Sequence, residues 1–399
     1  MARLEFEEIE FKDKGEKLGV LLYNIFEFEL DKRELHELGE FKFNRKAIEF
    51  PTLSESVARR KLLFLLSKGV LGLRNRITNN PATYIHANSG IPLVGNISFG
   101  VIDRGTSLLE VKPLTSCNLN CIYCSVSEGL SSTSHDFVVE QDYLVREVRR
   151  IVEFKDIEDV ELHINSQGEP MLYSELTALV SQLSKIPRVS RISIDTNGVL
   201  LNRERAKQLI DAGMNQFNIS LNALDQRIAN EMAGTGYPVK QVLDVARYIA
   251  STNARLVLAP VLLPGYNDSE ISKIIQLGKE LGAVVAIQNF LEYKHGRRPV
   301  KQLSWKEFYK RLSQLEQEFD IKLKLTPKHF NIRPARSLPK VFKLGEVVKA
   351  KIICPGRYKN EVIVAARERN ITVITPKRSG WVTFKIIRTK HNIYLGKAL

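Results

Sequence analysis

From Leu108 onward the chain alternates short β-prone runs with longer amphipathic stretches. The runs are LLEVK (108–112), VELHI (160–164), RISID (191–195), QFNIS (216–220), RLVLAPV (255–261) and VVAIQNF (284–290). Between them, residues 139–153, 174–185, 203–212, 239–251 and 270–281 repeat apolar positions at helical spacing. Most strand starts lie 25 to 40 residues apart, the room that a strand, a crossover helix and a second strand require. The pattern predicts an α/β fold with a parallel sheet. Right-handed crossovers should curl it into a partial (β/α)6 barrel. A last helix is predicted from Ser304, with Glu307 completing a capping box.

Parallel strands covered on both faces are apolar on both faces, and these are not. Leu109 and Val111 alternate with Glu110 and Lys112; Val160, Leu162 and Ile164 alternate with Glu161, His163 and Asn165. Ser193, Asp195, Asn218, Ser220 and Gln288 continue the polar series in the later runs. The apolar positions should face the helices and the polar ones an interior that holds something charged. A wet-faced antiparallel sheet would alternate too, but the intervening helices argue against it.

The flanks read differently. Residues 1–100 suggest an α+β extension, with strands in LEFEEIEF and FKFNRKAIEF and a helix over 54–69 ending on a glycine. They carry no chemical motif. Residues 321–343 hold seven basic residues, three prolines and no acid, the composition of a linker. Residues 344–399 are short β-runs between turns, enough for a small five-stranded barrel.

Charge sharpens this division. Residues 321–399 contain 19 Lys and Arg against three acids (Glu346, Glu361, Glu368), a net of +16, which leaves −2 for the first 320 residues of a chain carrying +14. A near-neutral body with a basic end suggests a polyanionic partner; a merely solvated basic surface is the plain alternative. Tyr358, Trp381, Phe384 and Tyr394 interleave with the basic residues, which suits phosphate neutralisation and base stacking unless they fill the barrel's core. A charged amino terminus and a longest apolar stretch of only Leu256 to Leu263 point to a cytoplasmic protein with no membrane partner.

Candidate chemistry concentrates in SCNLNCIYCSVSEG, where Cys117, Cys121 and Cys124 are spaced C-x3-C-x2-C with Tyr123 before the last. Three thiolates on one loop can hold three irons of a [4Fe–4S] cluster and leave the fourth open. A zinc knuckle normally needs a second ligand pair, which is lacking. Four cysteines in 399 residues make no disulfide framework.

The motif resembles the signature of the radical S-adenosylmethionine superfamily. The resemblance implies that the open iron chelates S-adenosylmethionine and that reductive cleavage yields a 5′-deoxyadenosyl radical, with Cys117, Cys121 and Cys124 as ligands and catalytic centre. It extends over about residues 107–290 and assigns cofactor contacts to Tyr123, to Gly168 and Glu169 of SQGEPML, to Asp195 and Thr196 of DTNG, and to Ser220 and Asn222 of SLN. Gln167 stands where the family has a glycine, and PGYND (264–268) looks like a family turn near the adenine. His163 and Glu161 are candidates to touch cofactor or substrate, without a catalytic role. The basic barrel resembles the TRAM type of OB-like domain that ends many RNA-modifying enzymes.

With only Cys354 left over, an auxiliary cluster of the kind held by methylthiotransferases, peptide maturases or molybdopterin-precursor enzymes is excluded unless a partner supplies ligands. Cys354 is expected to be a buried apolar residue of the barrel. The expected function is a one-cluster radical enzyme that modifies RNA, most simply tRNA, reduced by a flavodoxin- or ferredoxin-type donor. The alternative is a maturase or mutase acting on a peptide or small metabolite, with the barrel docking a protein.

Overall fold

A computed structural model describes residues 1–399. Its centre is a seven-stranded sheet in the order Val284–Val285, Arg255–Leu258, Gln216–Ile219, Val189–Thr196, Val160–Ile164, Leu108–Lys112, Gly100–Asp103. All neighbours pair in parallel except the last, where Gly100–Asp103 returns antiparallel along Leu108–Lys112. That strand was not expected: all four of its residues are buried, so it lacks the alternation that marks its neighbours.

Register explains the alternation. Glu110 lies opposite His163, His163 opposite Ser193 and Ser193 opposite Gln216, while Asp195 faces Asn218. Leu109, Leu162 and Ile192 form the matching apolar row. One sheet face is thus apolar and covered by helices Gln141–Lys155, Leu176–Leu183, Arg203–Asp211, Val239–Ala250 and Asp268–Leu281; the other carries ordered polar rows. The last two runs each break in two, and the second pieces, Val261–Leu262 and Gln288–Asn289, pair with one another beyond Pro260. Helix Trp305–Phe319 begins at the expected capping box: Glu307 N donates to Ser304 Oγ at 3.2 Å, and Ser304 N donates to the Glu307 carboxylate at 2.9 Å.

Residues 1–85 form two small antiparallel sheets and helix Glu55–Gly69. Their buried side chains join those of the central domain in one core of 81 residues, so the two fold as one body. Gly69 does not end the helix in the left-handed manner of a C-cap. The chain continues into a 3-10 turn, and a Cβ at Gly69 would lie 2.7 Å from Leu30 and Phe28: the glycine lets helix and strand touch.

The stretch 321–343 is stitched beneath the N-terminal ends of the central strands. Phe330 O accepts from Arg191 at 3.0 Å, Arg333 O from Ser107 N at 2.8 Å, and Leu338 N donates to Asp103 at 2.8 Å. Beyond it the closed barrel runs Val347–Pro355, Glu361–Ala366, Arg369–Ile374, Leu395–Ala398, Trp381–Arg388, with only the Arg369–Ile374 and Leu395–Ala398 pair parallel. Phe384 and Tyr394 fill its own 11-residue core, and Tyr358 stacks on His295, so Trp381 alone of the four aromatics stays exposed and unstacked. No helix is long and apolar enough to cross a membrane.

Candidate active site

The cysteine loop leaves the C-terminal end of Leu108–Lys112 through Thr115–Ser116, which pairs in parallel with Gln167–Gly168 at the end of the next strand. Barrel-type α/β enzymes place their chemistry at this end. Gly168 has φ +148°, and a Cβ there would meet Ser116 O at 2.0 Å, so only glycine lets the two segments touch. Glu169 N then donates to Ser116 O at 2.7 Å. The GEP element is thereby locked to the residue before Cys117.

Glu169 is buried, and its carboxylate accepts from Met171 N (2.9 Å), Thr196 Oγ1 (2.8 Å) and Asn197 N (2.7 Å). Burial outweighs these donors and pushes its pKa up to about 7. Thr196 and Glu169 are therefore brought together, as the motifs imply. Asp195, one residue earlier, points the other way: it takes His163 Nε2 at 3.1 Å and Asn218 Nδ2 at 2.8 Å on the polar sheet face. Burial acts against the charge of His163, but Asp195, Glu161 and Glu110 more than offset it and hold His163 above its ordinary value. His163 Nδ1 bonds Ser193 Oγ at 2.8 Å, and Ser193 donates onward to Glu161 at 2.7 Å.

Asn222 donates to Tyr123 Oη at 2.6 Å and accepts from Val261 N at 2.8 Å, tying the motif tyrosine to the sheet. Asn267 of PGYND donates to Asn222 O and Val261 O, both at 2.9 Å, and closes the same corner. A small cavity lined by Leu119, Tyr123, Ser220, Asn222, Ala229 and Tyr237 opens beside the cysteine loop.

All three thiols are pushed up, burial being the main cause: Cys117 well above the usual range, Cys121 to about 11 against the opposing Tyr123 hydroxyl, and Cys124 less, with Arg297 and Arg357 opposing. A metal centre that replaces the charge takes the proton from such buried thiols. The structure gathers no group of three or more His, Cys, Asp or Glu side chains around a single-ion position; three thiols on one loop are the donor set a [4Fe–4S] cluster would take. Ser166 Oγ and Gln167 Oε1, buried at the strand end beside Gly168, lack any partner, as groups awaiting a ligand would.

Distant segments clamp this loop, and the sequence reading missed them. Arg297 donates to Cys121 O and Asn120 Oδ1, both at 2.7 Å, and its N–H reaches Cys124 O at 2.9 Å. Asn75, from the N-terminal region, donates to Ser116 Oγ at 2.8 Å and Asp136 at 2.7 Å. Arg357, from the barrel, is buried in an ion pair with Glu128 of the cysteine loop and donates to Asp136 (3.0 Å) and His135 O (2.8 Å). Glu128 N in turn donates to Cys124 Sγ at 3.2 Å. Cys354 is partly buried near Thr83, its thiol pushed up to about 12 by burial, and packs against the large common core rather than the barrel's own.

Fold and site thus define an α/β enzyme built on a thiolate loop at the C-terminal ends of parallel strands. The sequence profile of the Radical SAM superfamily matches residues 111–278. The chain is similar to the uncharacterized protein MJ0103 of Methanocaldococcus jannaschii, 35% identical over 370 residues that cover 84% of this chain and 85% of that protein. It is also similar to the GTP 3′,8-cyclase of Listeria monocytogenes, 31% identical over 203 residues, 50% of this chain and 57% of that enzyme, so it spans little more than half of this relative's length. Among solved structures, Streptococcus suis SuiB bound to S-adenosylmethionine is matched at a TM-score of 0.45 with 14% identity, over 81% of this chain and 72% of that one. The chain belongs to the radical S-adenosylmethionine superfamily and is a radical S-adenosylmethionine enzyme; that family requires a [4Fe–4S] cluster and S-adenosylmethionine.

Proposed function

We propose that this protein is a cytoplasmic, one-cluster enzyme that modifies RNA, with tRNA as its substrate and a flavodoxin- or ferredoxin-type protein as electron donor. Cys117, Cys121 and Cys124 would hold the cluster. Tyr123, Gly168, Glu169, Thr196, Ser220 and Asn222 would line the S-adenosylmethionine site, with Asp195 beneath it on the polar face. When bound, the two groups supply a 5′-deoxyadenosyl radical that removes a hydrogen atom from substrate. This chain's residues bind and orient them: the Glu169 carboxylate offers negative charge to an ammonium, and the buried corner closed by Asn267 keeps water from the cysteine loop.

The observation that supports an RNA substrate is the placement of the basic barrel. It carries most of the positive charge of residues 321–399 and reaches the cysteine loop through Arg357, so a polyanion held by the barrel lies beside the radical site. The test is the affinity of the whole protein for bulk tRNA as salt is raised, paired with nucleoside profiles of RNA from cells with and without the protein. Steep salt dependence and a missing modified nucleoside are expected. The likeness to GTP 3′,8-cyclase favours a second reading, in which a radical maturase or mutase acts on a small metabolite or peptide; absent or salt-insensitive tRNA binding would select it.

A further inference from the structure

The barrel's two broad faces differ in what they leave free. In five-stranded barrels of the OB type, oligonucleotides lie on the second and third strands and on the loops joining strands 1–2 and 4–5. Here those elements are occupied by the protein itself. Ile363 of the second strand is buried in the large common core, and Asn370 of the third donates to Pro92 O at 2.6 Å and to Val94 O at 2.9 Å. The 1–2 loop carries Arg357 into the cysteine loop, and Asn392 of the 4–5 loop donates to Leu338 O at 2.8 Å.

The opposite face, on the first and fourth strands, is open. Val347, Lys349, Lys351 and Ile353 point outward from one strand and Trp381, Thr383, Lys385 and Ile387 from the other, all exposed and without an acid among them. Register sets Lys351 opposite Trp381, Lys349 opposite Thr383 and Val347 opposite Lys385. Trp381 is 57% exposed, and the Lys349 ammonium lies 5.9 Å from its ring centre, a cation beside an aromatic face. A large ring left in water between lysines has the two parts that hold single-stranded nucleic acid: a stacking platform and phosphate neutralisers.

We infer that this face, formed by Val347–Pro355 and Trp381–Arg388, is the RNA-binding surface, with Trp381 stacking on a base and Lys349, Lys351 and Lys385 neutralising phosphates. The inference rests on the RNA reading above and places the contact on a face that such barrels ordinarily leave unused. The first strand runs directly into Arg357. At roughly 3.3 Å per residue, Lys351 stands roughly 20 Å along the chain from the cysteine loop's clamp, so RNA on this face leads toward the cluster.

The experiment uses the full chain and bulk tRNA followed by fluorescence anisotropy. Trp381→Ala should weaken binding about tenfold. The triple variant Lys349→Gln, Lys351→Gln, Lys385→Gln should lower the slope of log affinity against log salt by about two to three. Arg59→Gln with Arg60→Gln, both exposed on helix Glu55–Gly69, should leave both values unchanged, and Trp381→Phe, which keeps a ring, should recover part of the loss. If wild-type protein binds tRNA and the barrel variants bind equally well, the surface is wrong and the RNA reading stands. No tRNA binding by wild type overturns both. If the barrel variants keep tRNA affinity but lose reduction by flavodoxin, the face serves an acidic protein and the inference is overturned.

Discussion

The two regions flanking the catalytic domain attach to it by different means. Residues 1–85 merge their apolar side chains with the central core, Tyr23 packing against Tyr84 and Tyr173, and Phe26, Phe28 and Phe50 lying in the same cluster as Leu109 and Ile164. The barrel has an 11-residue core of its own and, apart from Ile363 in the common core and the stacking of Tyr358 on His295, meets the centre through polar groups: Arg357 on Glu128 and Asp136, Asn370 on Pro92 and Val94. One flank is part of the folding unit, whereas the other is a finished domain held by a few directional contacts. The barrel's Arg357 grips Glu128, whose N–H donates to Cys124 Sγ, so disturbing that contact should show in the cluster before it shows in the fold.

Deleting each flank should separate the two most sharply. Removal of residues 1–99 uncovers a large part of the common core, and insoluble or molten protein is expected by circular dichroism. Removal of residues 344–399 should leave a folded body that loses iron faster to a chelator than the intact chain does.

Paired core truncations come next. Phe26→Ala and Phe384→Ala each remove a fully buried ring, a loss of about 3–5 kcal/mol. In calorimetry the first should shift the main transition, and the second should split off an early barrel transition while the main one stays.

Arg357→Met should strand two buried carboxylates, a cost of about 3–5 kcal/mol borne by the docking contact. Iron retention is the readout, with Arg357→Lys intermediate. A smaller effect is expected with pH. Burial raises Glu169 to about 7 from an ordinary 4.5. A carboxyl raised on folding holds its proton more tightly in the native state, so its stabilising contribution is complete below about pH 4.5 and is lost as pH rises through about 7. Urea midpoints of ligand-free protein should drift downward over that range, and Glu169→Gln should flatten the drift.

Much of the central sheet was legible because each strand has one polar and one apolar face, and the period of two survives in the sequence. The cysteine loop was legible because its spacing is local. The strand Gly100–Asp103, buried along its whole length, and the helix Gln226–Ala233, three turns at most, carry too little pattern to stand out. The clamps were invisible for another reason. Asn75 lies 61 residues from Asp136, and Arg357 lies 221 residues from it, so only the folded chain brings them together. Asp195 and Thr196 look alike as neighbours in a motif, yet strand alternation sends one to His163 and the other to Glu169.

The stitching of residues 321–343 under the sheet has a consequence for turnover. The barrel is fastened near Arg357 on one side and through Asn370 and Asn392 on another, and its lead-in segment is itself sewn to the strands. It is a fixed anvil, not a swinging lid. With the proposed RNA as substrate, exchange would be left to the RNA's own dissociation, and turnover should quicken with modest salt before weakened capture slows it.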